Sequence, residues 1–274
     1  MIDVKEFVRG ENFPNVCDMR VGTEPNLDYE EQLEPPDKKH VSVYAKSENL
    51  STAFNLISRF PDKVFTFVSH NSDMTINTCT MPENIVRWFA QNRNTDQPKI
   101  YSLPIGLENK YWHPYKDEVM QRTRIESMYG GHPARSINCF AQFNCTTHGE
   151  RYHALTTVDP SVCDTMLGSN GNKEQHLDFC KNLIKYGFCL CPRGNGIDTH
   201  RLWEALYMGC IPICKKYHAH QFEHDLPILF VDEWSDITPE LLYETYHQKN
   251  KRLLFDSEIL KMSYWTEKIN TYEL

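Results

Sequence analysis

Pro192-Arg193-Gly194-Asn195-Gly196-Ile197-Asp198-Thr199-His200-Arg201-Leu202-Trp203-Glu204 is the stretch on which the reading of the fold turns. An apolar run, Phe188-Cys189-Leu190-Cys191, precedes it, and Cys210-Ile211-Pro212-Ile213-Cys214 follows shortly after. The first run reads as a strand, residues 199–208 as a helix, and the second run as the next strand. Strand, glycine loop, helix and strand make one unit of a parallel sheet. Glycines let a backbone approach a ligand closely, and a helix N-terminus presents unpaired N–H groups and a positive dipole end. A diphosphate fits such a place. A tight turn that binds nothing accounts for Gly194 and Gly196 equally well.

The alternation extends both ways. Upstream, 136–144 reads as a strand, 149–155 as a short helix and 174–186 as an amphipathic helix closed by Gly187. Downstream come a strand at 228–231 and helices at 238–249 and 258–271. Residues 110–133 form a connector with a helical middle at 117–128. The first half repeats the pattern: strand 40–45, helix 47–60, strand 63–69, helix 82–91 with Pro82 in its first turn, and strand 98–103. The first forty residues, rich in Pro, Asp and Glu, read as mostly irregular. The expected class is α/β, with two Rossmann-like lobes and a cleft between them. One lobe is expected at 1–114 and the other at 115–257.

Bulk properties exclude several classes. The chain has 274 residues, 40% hydrophobic and 24% charged, an ordinary globular balance. A net charge of −8 without a basic run argues against a nucleic-acid partner. No signal core opens the chain and no apolar stretch is long enough to span a bilayer, so a cytoplasmic protein without a membrane span is expected. The ten cysteines read as reduced and mostly buried, and no Cys-x-x-Cys pair marks a zinc site. His220 and His224 have ligand-like spacing, but no Glu follows His220, and a solvated loop is the better reading.

Two sets of polar residues stand out. In the second half, Asp198, Arg201 and Glu204 recur at helical spacing. Arg201 can fork onto a phosphate and Glu204 can accept from ribose hydroxyls; a surface ion pair is the plain alternative. Asn144, Thr147 and Arg151 follow the 136–144 strand, and in a parallel sheet such loops share one rim. Arg151 becomes a second phosphate candidate. In the first half, His70, Asn71 and Asp73 follow one strand, and Glu108 and Asn109 follow another. A reaction that activates a hydroxyl needs a base; Asp73 is the first candidate and His70 the second, with Glu108 and Asp18 weaker. Asp73 also suits a turn, and His70 reads somewhat better as a structural hydrogen-bonding residue than as a base. No Asp-x-Asp occurs, so metal-independent neutralisation by Arg and the helix dipole is expected, with no obligatory cofactor.

The run FCLCPRGNGIDTHRLWEALYMGCIP, residues 188–212, resembles the nucleotide-sugar segment of exostosin-like glycosyltransferases, and the likeness covers roughly 136–245. The resemblance implies the two-lobed GT-B fold, with an acceptor-side lobe at 1–114, onto which the last helix, 258–274, packs back, and a nucleotide-sugar-binding lobe at 115–257. It also implies inverting transfer of a sugar from a UDP-sugar to a hydroxyl of a glycan. By carry-over, Arg151 and Arg201 hold the diphosphate, Glu204 the ribose, and the backbone near Pro192 and Arg193 faces the base. Gly194, Gly196, Asp198 and Thr199 complete the donor-side set. A looser likeness to algal-virus xylosyltransferases points to xylose. Typical members are longer and carry an anchor and lumenal disulfides, which are not expected here. Another nucleotide-sugar, a non-catalytic nucleotide- or glycan-binding module, and a structural interaction protein are the competing readings.

Overall fold

The computed structural model describes residues 2–130, 134–166, 171–222, 226–249 and 257–272. Two five-stranded sheets, parallel throughout, organise them into two Rossmann-like α/β lobes. The first sheet holds β1 (Met19–Val21), β2 (His40–Lys46), β3 (Val64–His70), β4 (Ile85–Ala90) and β5 (Ile100–Ser102) in sequential order. The second holds β6 (Ser136–Ala141), β7 (Cys163–Thr165), β8 (Tyr186–Leu190), β9 (Ile211–Lys215) and β10 (Leu229–Val231) in the order β10-β9-β8-β6-β7. The helices are α1 (Phe13–Val16), α2 (Leu50–Ile57), α3 (Lys116–Tyr129), α4 (Gly149–Thr157), α5 (Lys173–Lys185), α6 (His200–Tyr207), α7 (Pro239–Lys249) and α8 (Met262–Asn270). Among the described residues no helix is long and apolar enough to cross a membrane.

Both sheets are covered on both faces, so their strands are apolar on both sides. In the first lobe Val43, Phe67 and Trp88 face one core with Ala53, Leu56 and Ile57 of α2. The alternate residues Tyr44, Val68 and Phe89 face the middle of the molecule. In the second lobe Cys139, Phe188 and Ile211 pack with Ala154 of α4 and Leu242 of α7. Their neighbours Phe140, Cys189 and Cys210 face the same middle core, with Phe179 and Leu183 of α5 and Trp203 of α6. That middle core runs unbroken from Tyr44 to Trp203 and joins the lobes through apolar contact.

The last helix belongs spatially to the first sheet. Trp265 of α8 meets Phe89 of β4 edge to face, centroids 6.0 Å apart, and donates its indole N–H to Ile259 O at 2.9 Å. Ser42 of β2 donates to Asn270 Oδ1 at 2.8 Å.

One expectation changes, and short elements emerge that the sequence reading did not include. Residues 82–91 are not a helix: Ile85–Ala90 is strand β4, lying between β3 and β5. Its sequence, Ile-Val-Arg-Trp-Phe-Ala, is short and rich in β-branched and aromatic residues, and a short apolar run has no period that separates helix from buried strand. The slot between two strands decides it, reinforced by the Trp88 indole donating to Ser69 Oγ at 2.9 Å. The first forty residues are mostly irregular, as expected, apart from short elements such as β1, which pairs with β2, and α1 at residues 13–16. The strand β7, which pairs with β6, lies in a stretch with no strong apolar signal.

The order of the second sheet places a ligand crevice. From β6 the chain steps outward to β7, then returns to the other side of β6 as β8. Loops after β6 and β8 therefore diverge, and ligands bind in open α/β sheets at such a switch point. Replacing Trp265 by Ala should cost about 3–5 kcal/mol, read as a lower midpoint in urea unfolding. Replacing the exposed Trp112 should stay within about 0.5 kcal/mol.

Candidate functional site

The loops at the switch point hold two guanidinium groups against one aromatic ring. Arg201, in the first turn of α6, lies 5.5 Å from the centroids of both Phe143 and Phe179. Arg151 of α4 lies 5.9 Å from the Phe143 centroid. Arg151 is oriented by three bonds: Nη1 to Asn144 O and to Thr147 Oγ1, and Nε to Arg193 O, each 3.2 Å. Burial and the neighbouring Arg201 charge push the Arg151 pKa down to about 10, so it stays charged at neutral pH. Two cations held this close in a partly dry place repel, and an anion bridging them relieves the repulsion.

Deeper in α6, Glu204 is buried, and its Oε1 makes no hydrogen bond, with the Lys116 ammonium 3.5 Å away. Burial opposes the charge of Glu204, but Lys116, His176 and Arg201 outweigh it and hold the carboxyl below its usual pKa. Lys116, at the start of α3, also reaches Glu108 at 3.0 Å. Burial opposes its charge too, and Glu204 and Glu108 raise its pKa. Glu108 in turn meets His113 at 2.6 Å. A chain of charges therefore links α6 to the first lobe.

The glycine loop approaches protein groups closely as well as lining a cavity. A Cβ on Gly194 would sit 2.9 Å from Arg151 Nη2, and one on Gly196 2.7 Å from Asn92 Nδ2. Pro192 and Arg193 line neither of the two cavities described below, and Arg193 turns back onto its own loop, donating to Asn195 O at 2.8 Å. Asn144 acts through its carbonyl on Arg151, while its side chain accepts from Thr146 N at 2.9 Å.

Asp198 is not in a surface ion pair. Its buried carboxylate accepts from Ile105 N at 2.8 Å, from Thr199 N at 2.9 Å and from the Trp203 indole at 3.0 Å. Its own N–H donates to Asn92 Oδ1 at 2.9 Å. His220 lies 3.5 Å from it and is buried, contrary to the solvated loop expected from sequence; His224 falls outside the described residues.

On the first-lobe side, His70 has no free lone pair. Its Nδ1 accepts from Asn71 N at 2.7 Å, and its Nε2 donates to Pro104 O at 3.0 Å. Burial pushes its pKa down to about 4. That geometry removes it as a base and makes it a support for Asn71, which takes a left-handed backbone (φ 57°). Asn109 donates to Asn71 Oδ1 at 3.1 Å. Asp73 is exposed and accepts from Asn195 Nδ2 at 3.3 Å. Asp18 is turned into the sheet edge, accepting from Ser42 N at 2.9 Å and pairing with Lys38 at 2.8 Å.

Two cavities meet here. The smaller, about 370 Å³, is lined by Thr147, Arg151, Gly194, Gly196, Thr199, Arg201 and Glu204 among others. The larger, about 410 Å³, is lined by His70, Asn71, Asp73, Glu108, Asn109 and Trp112 among others. Asp73, Ile105, Glu108 and His200 line both and form the seam. His200 was not singled out from sequence. Its Nδ1 lies 2.8 Å from Gly106 O; a carbonyl only accepts, so Nδ1 carries the proton and Nε2 keeps the lone pair. In sequence it is one more polar residue beside Arg201, without any spacing signal. Among the described residues no group of three or more His, Cys, Asp or Glu is placed to hold a metal ion.

Comparison with known proteins places the chain beside one enzyme class. It is similar to a probable glycosyltransferase of Arabidopsis thaliana, 28% identical over 111 residues, which is 38% of this chain and 23% of that protein. The chain thus spans about a quarter of that relative's length. No family model matches the chain.

Two buried neutral histidines set an acid limit. Burial lowers both His70 and His176 from 6.5 to about 4. The unfolded chain therefore binds more protons than the folded one between pH 6.5 and 4, and stability present above 6.5 is lost as pH falls. Urea midpoints should drop across that window, and His176→Gln should shallow the slope by about one proton.

Proposed function

We propose that the protein transfers a sugar from a nucleoside-diphosphate sugar to a hydroxyl group of a glycan, with the donor in the smaller cavity. One observation carries this reading. Arg201 Nε, Glu204 Oε1 and Thr199 Oγ1 are buried polar atoms without hydrogen-bond partners, and their residues all line that cavity at the start of α6. Buried unpaired polar atoms are costly and uncommon, so three at one place call for a polar ligand. A ligand with a diphosphate and a ribose matches them. Arg151 and Arg201 take the phosphate oxygens, assisted by the N-terminus of α6, and Glu204 accepts from the ribose hydroxyls. The cavity volume falls in the range of about 300–1,000 Å³ usual for small-ligand sites. Similarity to a probable glycosyltransferase supports the class of reaction.

Transfer requires an acceptor at the seam. The acceptor oxygen attacks the anomeric carbon, the bond from that carbon to phosphate oxygen breaks, and its electron pair leaves with the nucleoside diphosphate. The acceptor proton passes to a base. His200 Nε2 is our first choice, because the Gly106 carbonyl fixes its tautomer. Asp73, which lines both cavities, is the second. Attack from the face opposite the phosphate inverts the anomeric centre. Charge on the leaving group is met by guanidinium groups, so no metal is required. The exostosin-like resemblance orders the donor screen: UDP-xylose first, then other UDP-sugars, then GDP-fucose.

A nucleotide thermal-shift screen tests the donor half. A matching nucleotide at about 100 Kd should add about 2.7 kcal/mol. Arg201→Ala or Arg151→Ala should weaken it by about 10–100-fold, the worth of a charge-assisted hydrogen bond. Absence of stabilisation by every nucleoside diphosphate sinks the reading. For the chemistry, His200→Ala should lower kcat by about 10²–10⁴-fold with donor affinity retained. Full turnover in that variant, with loss in Asp73→Asn instead, moves the base to Asp73. Donor binding without hydrolysis or transfer to any glycan reduces the protein to a binding module.

A further inference from the structure

The larger cavity has features that donor binding does not use. Tyr111 and Trp112 stand on its wall, ring centroids 5.1 Å apart, and Trp112 is 59% exposed. The other tryptophans, Trp88, Trp203, Trp234 and Trp265, are all buried. With Tyr111, 39% exposed, Trp112 forms an exposed aromatic pair beside the polar hollow. The cavity itself is lined by amide and hydroxyl groups, including Asn71, Ser72, Gln91 and Asn109. Asn71 is held in its left-handed conformation by Tyr44 Oη, which accepts from Nδ2 at 3.1 Å, and by Asn109. Strained, over-determined backbone of that kind concentrates at binding sites.

Flat aromatic surface beside fixed hydrogen-bonding groups matches one ligand class. A sugar ring presents a face of C–H bonds that stacks on an indole, while its edge carries hydroxyls that donate and accept. Charge narrows the class. Glu24, Glu48 and Asp73 line this cavity with the single ammonium of Lys46, while Glu108 on the same wall is paired with Lys116 and His113. Carboxylates accept well from sugar hydroxyls but repel an anionic chain, and the protein as a whole carries a net charge of −8.

We infer that the larger cavity is a binding site for a neutral saccharide, with one ring lying on Trp112, and that its carboxylates discriminate against uronic-acid and sulfated chains. This inference rests on the donor reading only in identifying the saccharide as the acceptor. Binding itself needs no nucleotide.

Trp112 doubles as the reporter, because the other four indoles are buried. Neutral xylo-, manno- and galacto-oligosaccharides would be titrated against galacturonan and heparin-derived oligosaccharides, following tryptophan emission. At least one neutral series should give a saturable change, with acidic ones binding at least about tenfold more weakly. By calorimetry, Trp112→Ala should weaken the neutral ligand at least about tenfold, with nucleotide thermal shifts unchanged. Glu48→Gln should narrow the gap between neutral and acidic ligands. No saturable change with any neutral saccharide, equal or tighter binding of acidic ones, or full affinity in Trp112→Ala overturns the inference. Failure of the donor reading shows separately, as absent nucleotide stabilisation with saccharide binding intact.

Discussion

One buried carboxylate, that of Asp198, holds the two lobes in register. It accepts from Ile105 N in the first lobe and from Trp203 in the second, while its own N–H donates to Asn92 at the end of β4. A carboxylate out of water survives only when its lone pairs are filled, so each donor must keep its place. The constraint spreads along the chain. Because Asp198 is pinned to Asn92, Gly196 passes within van der Waals reach of that same amide and tolerates no Cβ. His200, two residues on, falls opposite Gly106 and bonds its carbonyl. The seam between the cavities is therefore a consequence of where Asp198 sits.

Around that tether charged groups of both lobes gather. The second lobe brings Arg151 and Arg201 onto the Phe143 ring, and the first brings Glu24, Glu48 and Asp73 around a polar hollow. Lys116 spans the boundary, within 3.5 Å of Glu204 and 3.0 Å of Glu108. The smaller hollow mixes Arg151, Arg201 and Lys116 with Asp73, Glu108, Asp198 and Glu204, whereas the larger is mostly acidic, so discrimination by charge falls on the larger one. Such discrimination is strong where water is scarce and fields are little screened.

The α/β class was legible because parallel strands buried on both faces are dense in apolar residues and alternate with periodic helices, as in 174–214. The rim formed by the glycine loop and the start of α6 was legible because turn glycines and the spacing of Arg201 and Glu204 need no tertiary information. What local pattern could not resolve has specific causes. Residues 85–90 have six apolar or large side chains and no distinguishing period, so the strand emerged only from its slot between β3 and β5. His70 could be read as a base or as a structural hydrogen-bonding residue, and the Asn71 amide and Pro104 carbonyl, which occupy both its nitrogens, decide for the second. His220 looked solvated until Asp198, far away in the sequence, was found beside it.

By itself, the sequence determined the alternating α/β chain and the rim carrying Asn144 to Arg151 and Arg193 to Glu204, because both follow from short-range periodicity and turn chemistry. Only the tertiary structure decided what those residues touch. Whether Gly196 faces a ligand or Asn92, whether Asp198 is a surface charge or the tie between lobes, and whether His200 keeps a lone pair for the seam all depend on groups about a hundred residues away. Hydrogen bonds are directional and short, so their partners are set by the packing of the two sheets against one middle core.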